Sequence, residues 1–238
     1  MFTVALIGPD GAGKTTISRK LLESFPLPIT YLYMGINSES SNRVLPTTWL
    51  LRKFRKAVGA PSDTHGPRDH RTLTAKPSGN PLKRAFKSAK SFASLGNKLA
   101  EEWYRQGLTW YHCRRGRIVL FDRHYFSDYY AYDVAPTSGP RPLARRIHGY
   151  FLDRVYPRPD LVILLDAPAE VLFARKAEGT VELLERRRKD YLQIRDHVPN
   201  FAVVDASQPT DNVVRDVRER IIDFHRLQSS PSMTVEMP

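Results

Sequence analysis

The stretch Gly8-Pro9-Asp10-Gly11-Ala12-Gly13-Lys14-Thr15 decides the fold of this chain of 238 residues. It matches the pattern G-x-x-x-x-G-K-[ST] at every fixed position, after an apolar run and before a segment with helical spacing. Glycines let successive backbone N–H groups turn towards phosphate oxygens, and the helix start adds the positive end of its dipole. The stretch therefore predicts a nucleoside-triphosphate-binding loop between a buried strand and a helix.

Individual residues of this phosphate loop have predicted tasks. Lys14 is expected to reach the β- and γ-phosphates as a catalytic cation, and Thr15 to place its hydroxyl on Mg²⁺. A bound triphosphate would repel the carboxylate of Asp10, so we expect Asp10 to face the phosphate acceptor instead. The residues predicted to bind the nucleotide are Gly8, Asp10, Gly11, Ala12, Gly13, Lys14, Thr15 and Thr16.

Apolar runs alternate with helical patterns along the rest of the chain. Strands are predicted at 2–7, 29–33, 117–121, 160–165 and 201–204, and helices at 14–24, 82–114, 143–156, 169–177, 181–195 and 212–227. This alternation predicts a three-layer α/β fold in which helices cover both faces of a parallel sheet. Ligands of such sheets lie beyond the carboxyl ends of the strands, so Asp122, Asp166 and Asp205, each following a strand, are candidate site residues.

Basic charge is concentrated in one quarter of the chain. Residues 41–100 hold 13 lysines and arginines against two acidic residues, which gives +11 of the total net charge of +12. We interpret 35–99 as a basic insertion within a single domain over 1–228, with a basic amphipathic helix over 49–58 and a disordered tail over 229–238. The insertion is either a solvated surface or a contact for an anionic membrane or another polyanion. The helix over 49–58 either lies on such an anionic surface or packs its apolar face onto the domain.

Cysteine content and hydropathy indicate the compartment. Cys113 is the only cysteine, which excludes a disulfide within the chain. The sequence shows neither a signal peptide nor an apolar window of membrane-spanning length. These observations predict a cytoplasmic protein, with peripheral attachment to a membrane as the alternative.

A second site follows the strand predicted at 117–121. Asp122 stands where a carboxylate near the metal is expected, and Arg123 offers a bidentate fork for an acceptor phosphate. Four segments of the chain together resemble the thymidylate kinases, P-loop enzymes that phosphorylate dTMP. The likeness is carried by Gly8 to Thr16, by Asp122-Arg123-His124 with Ser127 and Ala131-Tyr132, by Pro159 to Pro168 with Glu170-Val171, and by Val204 to Gln208.

The resemblance implies a P-loop kinase fold with a five-stranded parallel sheet, Mg²⁺ and ATP, and a mobile lid after Asp166. It places Asp10 near the acceptor sugar, Arg123 on the acceptor phosphate and Thr15 and Asp122 at the metal. It also makes Tyr132 an acceptor contact, and a homodimer is implied because the family is commonly dimeric. The best candidate for a lid cation that approaches the transferred group is Arg175, followed by Lys176 and Arg186 to Arg188. At least two of the three arginines over 186–188 are expected to be solvated.

The sequence departs from the family pattern on the acceptor side. Where the family carries an arginine that contacts the acceptor, this chain has Glu101, with Arg105 one turn further on as the substitute contact. The residue after Ala131-Tyr132 is Asp133 instead of glutamine. Residues 35–99 show no likeness to the family.

Three hypotheses follow. The leading one is a kinase that transfers the γ-phosphoryl group of ATP to a nucleoside monophosphate similar to dTMP. The second keeps the fold and the chemistry and changes the acceptor to a sugar, a glycan or a lipid-linked molecule. The third is an ATP-switched protein that binds a polyanion through the basic insertion.

Overall fold

The predicted sheet is present in the computed structural model, which describes residues 1–35, 45–46, 48–50, 53, 81–136 and 141–229. Its strands are β1 (Thr3–Ile7), β2 (Ile29–Tyr33), β3 (Ile118–Asp122), β4 (Leu161–Asp166) and β5 (Phe201–Asp205). All pairs are parallel and the order is β2-β3-β1-β4-β5. The prediction of a five-stranded parallel sheet between helices is confirmed.

Helices connect the strands as the βαβ pattern requires. They are α1 (Lys14–Ser24), α2 (Pro81–Arg114), α3 (Tyr125–Tyr129) continued by a π-helical turn (Tyr130–Val134), α4 (Leu143–Tyr150) continued by another (Phe151–Val155), α5 (Ala169–Arg175), α6 (Val181–Leu192) continued by a 3₁₀ turn (Gln193–His197), and α7 (Thr210–Ser229). The helix over 125–134 was not predicted, because its aromatic residues follow one another too closely to show a helical period. His124 caps its start by accepting a hydrogen bond from the Phe126 amide.

The π-helical turn after α3 packs closely against α4. A Cβ atom built on Gly149 would lie 2.1 Å from the carbonyl oxygen of Asp133. Only a residue without a side chain allows these two backbones to approach so closely. The contact holds the π-helical turn, and with it the segment that follows Arg123 and His124, against α4.

Both faces of the sheet are buried, which explains why its strands are continuously apolar. On one face, Val4 and Leu6 pack with α1, α5, α6 and α7, and on the other Ala5 and Ile7 pack with α2, α3 and the segments after α4 and α6. The side chains of β1 are at most 1% exposed from Val4 to Ile7. Burial of each larger aliphatic side chain contributes about 1.5–3 kcal/mol, so this core holds the strand ends in place.

The strand register brings the predicted site residues to one edge of the sheet. Asp122 at the end of β3 is paired with Leu6 of β1 and with Tyr33 of β2. Asp166 at the end of β4 is paired with Asp205 of β5. The phosphate loop leaves β1 at the same edge, so the elements predicted to bind donor and acceptor converge there.

Several predictions fall on parts of the chain that the structure does not describe. Most of the insertion up to residue 80, most of the amphipathic helix over 49–58, and the tail from residue 230 lie outside the described residues. Ser229, predicted to begin the tail, is the last residue of α7. No helix in the described part of the chain combines the length and the apolar character that a membrane span needs.

Candidate active site

The phosphate loop depends on glycines at positions where a side chain does not fit. Gly8 has a φ of 146°, and a Cβ atom there would lie 2.5 Å from the Leu165 carbonyl oxygen at the end of β4. Gly11 has a φ of 89°, and its Cβ atom would lie equally close to the Leu172 carbonyl oxygen of α5. The loop is therefore pressed against the backbones of two neighbouring elements, which fixes its curvature.

Lys14 turns its ammonium group into the loop. Its Nζ atom donates hydrogen bonds to the carbonyl oxygens of Gly8 and Pro9, both at 2.7 Å. Burial, with repulsion from Arg123, lowers the pKa of Lys14 to about 7. An anionic phosphate in the loop would offset the cost of burying this charge, as the predicted contact with the β- and γ-phosphates requires.

The carboxylate at the end of β3 is held by two hydroxyl groups. Thr15 Oγ1 donates to Asp122 Oδ2 at 2.8 Å, and the Tyr31 hydroxyl of β2 donates to the same oxygen at 2.9 Å. The other oxygen, Oδ1, is buried without a hydrogen-bond partner. A buried carboxylate oxygen needs a partner, and a hydrated Mg²⁺ ion beside Thr15 would supply one. The residues present therefore fit the predicted metal site.

Asp10 is shared by two arginines from different elements. Its Oδ1 atom accepts a hydrogen bond from Arg123 at 2.7 Å, and its Oδ2 atom accepts one from Arg187 of α6 at 2.6 Å. Burial alone would raise the pKa of Asp10, but Arg123, Lys14 and Arg187 together hold it well below its usual range. We call Arg123, Asp10 and Arg187 the arginine bridge. It joins the phosphate loop, the end of β3 and the predicted lid.

Arg123 sits in a crowded, left-handed position. Its φ is 67°, the only positive value among the described residues other than glycine. A Cβ atom on Gly35 would lie 2.6 Å from both the Arg123 Cδ atom and the Tyr33 hydroxyl oxygen. The left-handed backbone costs about 1–2 kcal/mol, so the surrounding contacts must hold the guanidinium where Asp10 meets it.

Arg105 lies next to this region but is already paired. Its guanidinium donates to Glu101 Oε1 at 3.0 Å and to the Gly35 carbonyl oxygen at 3.2 Å. Glu101 also accepts hydrogen bonds from the Leu45 amide and the Thr48 hydroxyl. The departure at Glu101 thus creates a buried ion pair that fixes the chain beyond β2. A direct contact between Arg105 and the acceptor stays a prediction.

Asp133, the second departure, belongs to a buried ionic cluster. It accepts from His148 Nδ1 at 2.7 Å and pairs with Arg145 at 2.8 Å, while His148 Nε2 lies 3.1 Å from Glu102. Asp133 is therefore paired inside the protein. Tyr132, the predicted acceptor contact beside it, is half-buried in the π-helical turn, and its role stays a prediction.

The predicted lid arginines separate into different environments. Arg175 donates to the carbonyl oxygens of Ala206 and Ser207, beyond the end of β5, at 2.6 and 3.2 Å. Arg188 forms two hydrogen bonds of 2.8 Å with Asp166. Only Arg187 of these three contacts the phosphate loop in the described structure. The prediction that Arg175 approaches the transferred group stays a prediction, and the geometry favours Arg187.

The sequence pattern names Arg187 only as one of several lid candidates, and it does not indicate Tyr31. Three successive arginines point in three directions from a helix, and their spacing does not say which of them faces the loop. The hydrogen bond from Tyr31 to Asp122 depends on how β2 pairs in the sheet. The pairing of β2 with β3, which sets Tyr31 beside Asp122, is not visible in the sequence.

Comparisons with known proteins point to one family. The family model described as thymidylate kinase matches residues 96–217. A probable thymidylate kinase of Archaeoglobus fulgidus is 33% identical over 122 residues, which are 48% of this chain and 58% of that protein. A probable thymidylate kinase of Methanosphaera stadtmanae is 26% identical over 231 residues, which are 94% of this chain and 99% of that protein.

The extent of these matches differs. A thymidylate kinase of Thermosipho africanus is 28% identical over 130 residues, half of this chain and 60% of that protein. The chain thus spans little more than half the length of two of these relatives and nearly the whole of the third. The family model covers about half of the chain, including the β3 site, β4, α5 and α6.

Proposed function

We propose that this chain, which belongs to the thymidylate kinase family, transfers the γ-phosphoryl group of ATP to a nucleoside monophosphate of the dTMP type. The observation that carries the proposal is the arginine bridge. It brings an acceptor-side arginine and a lid arginine within hydrogen-bond distance of one carboxylate of the phosphate loop. A protein that only binds ATP has no need for such a meeting point.

In the proposed reaction, an oxygen of the acceptor phosphate forms a bond to the γ-phosphorus as the bond to the β–γ bridging oxygen breaks. The loop amides and Lys14 hold the donor phosphates, and Arg123 holds the acceptor phosphate. Arg187 donates hydrogen bonds to the transferred group once the substrate phosphates replace Asp10 as its partner. Asp10 is then available to accept from a hydroxyl of the acceptor sugar.

Mg²⁺ fits beside Thr15 and Asp122, and when bound it neutralises charge on the β- and γ-phosphates. The residues around the proposed metal site position its carboxylate before the transfer begins. Tyr31 and Thr15 both donate to Oδ2 of Asp122, which leaves Oδ1 available for the proposed metal contact. The sheet supplies rigid support, since β3 is buried along its whole length.

The two alternatives receive no separate support from the described residues. Both rest on the basic insertion, most of which lies outside them, and no contact of the described residues favours a glycan, a lipid or a polyanion. The cytoplasmic location, the membrane contact and the homodimer likewise stay predictions.

A coupled assay of ADP release tests the proposal. The protein is incubated with Mg²⁺, ATP and a panel of nucleoside monophosphates, with Lys14→Met as the matched inactive control. We expect acceptor-dependent turnover that is highest with a pyrimidine deoxynucleoside monophosphate and absent in the control. Failure of every monophosphate to stimulate ADP release, with ATP binding intact, would refute the nucleotide kinase.

A further inference from the structure

Asp166 ends β4 beside the phosphate loop but has no part in the transfer as described so far. Its carbonyl oxygen accepts a hydrogen bond of 2.6 Å from the Ala206 amide beyond β5. The residue before it, Leu165, places its carbonyl oxygen where a Cβ atom on Gly8 would lie only 2.5 Å away. The backbone at Asp166 is therefore fixed against both β5 and the phosphate loop.

The carboxylate of Asp166 is joined to Arg188 of α6 at two points. Arg188 Nε donates to Oδ1 and Nη2 donates to Oδ2, both at 2.8 Å. The third nitrogen, Nη1, donates to Glu185 of the same helix at 2.7 Å. The side chains of Arg188 and Asp166 are 22% and 17% exposed, so solvent keeps the contribution of the pair to stability small. A two-point contact fixes orientation as well as distance, and orientation is what this pair provides.

The direction of Arg187 depends on how α6 is rotated about its axis. Consecutive helical residues point about 100° apart, so the link from Arg188 to β4 directs Arg187 to a different neighbour. That neighbour is Asp10 of the phosphate loop, at 2.6 Å. Tyr191, one turn further along the same side as Arg187, donates to Asp128 of α3 at 3.1 Å. The helix is thus held on two faces, which determines its rotation.

A small change in this rotation is large at the end of an arginine. Side chains reach about 5–6 Å from a helix axis, so a rotation of α6 by about 20° moves the end of Arg187 by about 2 Å. A misplacement of about 1 Å at a reacting centre can lower a rate about 10²-fold. The contact between Asp166 and Arg188 therefore bears on the rate although it involves neither Arg187 nor the phosphate loop directly.

We propose that Asp166 is a positioning residue: through Arg188 it sets the rotation of α6 at which Arg187 meets the transferred phosphoryl group. The inference rests on the proposed function, in which Arg187 contacts that group. Asp166 takes no part in making or breaking bonds. Glu185 shares Arg188 with Asp166 but belongs to the same helix, so it cannot orient α6 against the sheet.

A kinetic cycle tests the connection to Arg187. Asp166→Asn keeps the size of the side chain and removes its charge and one acceptor oxygen. We expect kcat to fall about 30-fold while KM for ATP and for dTMP changes less than about threefold. If Asp166 acts through Arg187, adding Asp166→Asn to Arg187→Met should lower kcat by less than about threefold further. Glu185→Gln is the matched control, with kcat within about twofold of wild type.

NMR of the arginine side chains tests the positioning without turnover. The Nη signals of Arg187, identified by their absence in Arg187→Met, should be separate in wild type because the hydrogen bond to Asp10 slows rotation of the guanidinium. They should merge towards the position of free arginine in Asp166→Asn and stay unchanged in Glu185→Gln. Circular dichroism checks folding, and Arg188→Lys, which keeps the charge without the fork, serves both assays if Asp166→Asn does not fold.

The outcomes separate the two proposals. Absence of wild-type turnover with every monophosphate refutes the proposed kinase, and the NMR comparison then decides the positioning alone. The role of Asp166 is overturned if an active wild type and Asp166→Asn share the same kcat, if the losses from Asp166→Asn and Arg187→Met multiply, or if the Arg187 signals are the same in both proteins.

Discussion

Replacing Arg187 separates the two candidates for the catalytic cation of the lid. Arg187 Nη1 lies 2.6 Å from a carboxylate oxygen at the site, whereas Arg175 lies against the carbonyl oxygens of Ala206 and Ser207. If Arg187 meets a phosphoryl oxygen as it meets Asp10, the charges are about 4 Å apart. At an effective dielectric constant of about 20 their attraction is about 4 kcal/mol.

That energy corresponds to a loss of about 10³-fold in kcat for Arg187→Met, because it acts on charge that develops during transfer. The assay is coupled ADP release with saturating ATP and dTMP, and Arg175→Met is the matched control with an expected loss below about tenfold. Arg187→Lys should recover part of the rate, since it retains the charge without the fork. Equal losses in the two methionine variants, or a larger one at Arg175, would refute the assignment of Arg187.

Three further predictions concern the surroundings of the site. Tyr31→Phe removes one of the hydroxyls that orient Asp122. It should raise the Mg²⁺ concentration for half-maximal binding of the ATP complex about 10-fold or more, measured by fluorescence with a labelled nucleotide. An unchanged Mg²⁺ dependence would exclude a positioning role for Tyr31. Burial lowers the pKa of His148, but hydrogen bonds to two buried carboxylates outweigh it, so the pKa is raised. The stabilising contribution of His148 should therefore be complete below about pH 6.5 and disappear as pH rises through the higher folded-state pKa. The difference in Tm between wild type and His148→Gln should accordingly shrink with rising pH. Gly149→Ala should destabilise the protein by about 1–3 kcal/mol or more in urea unfolding, because the added Cβ atom would overlap a backbone carbonyl. Gly107→Ala in α2 is the control: no atom lies within 4 Å of the added Cβ atom, and the protein should be stabilised by about 0.5–1 kcal/mol.

The fold could be predicted from the sequence because local and global signals agree. Each strand of the sheet is a short apolar run, and the run before the phosphate loop ends at Ile7, where β1 ends. The helix over 125–134 escaped prediction because tertiary packing rather than periodicity produces it. Its close contact at Gly149 lies between residues 16 positions apart in the sequence, and nothing local indicates that contact.

The site was predictable where backbone position alone determines a role. Lys14, Thr15 and Asp122 follow from the loop motif and a strand end, and the structure brings them together. Arg187 and Tyr31 could not be chosen from sequence, because their roles depend on how α6 and β2 are oriented against the phosphate loop and β3. The departures at positions 101 and 133 were visible, but their burial in ion pairs depends on partners from other elements.

The end of β3 directs three consecutive residues into three compartments. Asp122 faces Thr15 of the phosphate loop, Arg123 faces Asp10, and His124 lines a cavity beside α2. The left-handed backbone at Arg123 makes this possible, since a regular strand would only alternate between two sides. An inserted or deleted residue here would misdirect all three at once, so this tripeptide leaves little freedom for evolutionary change. We therefore expect new acceptor preferences in this family to evolve in the segments that approach the tripeptide from outside, such as the chain around Gly35.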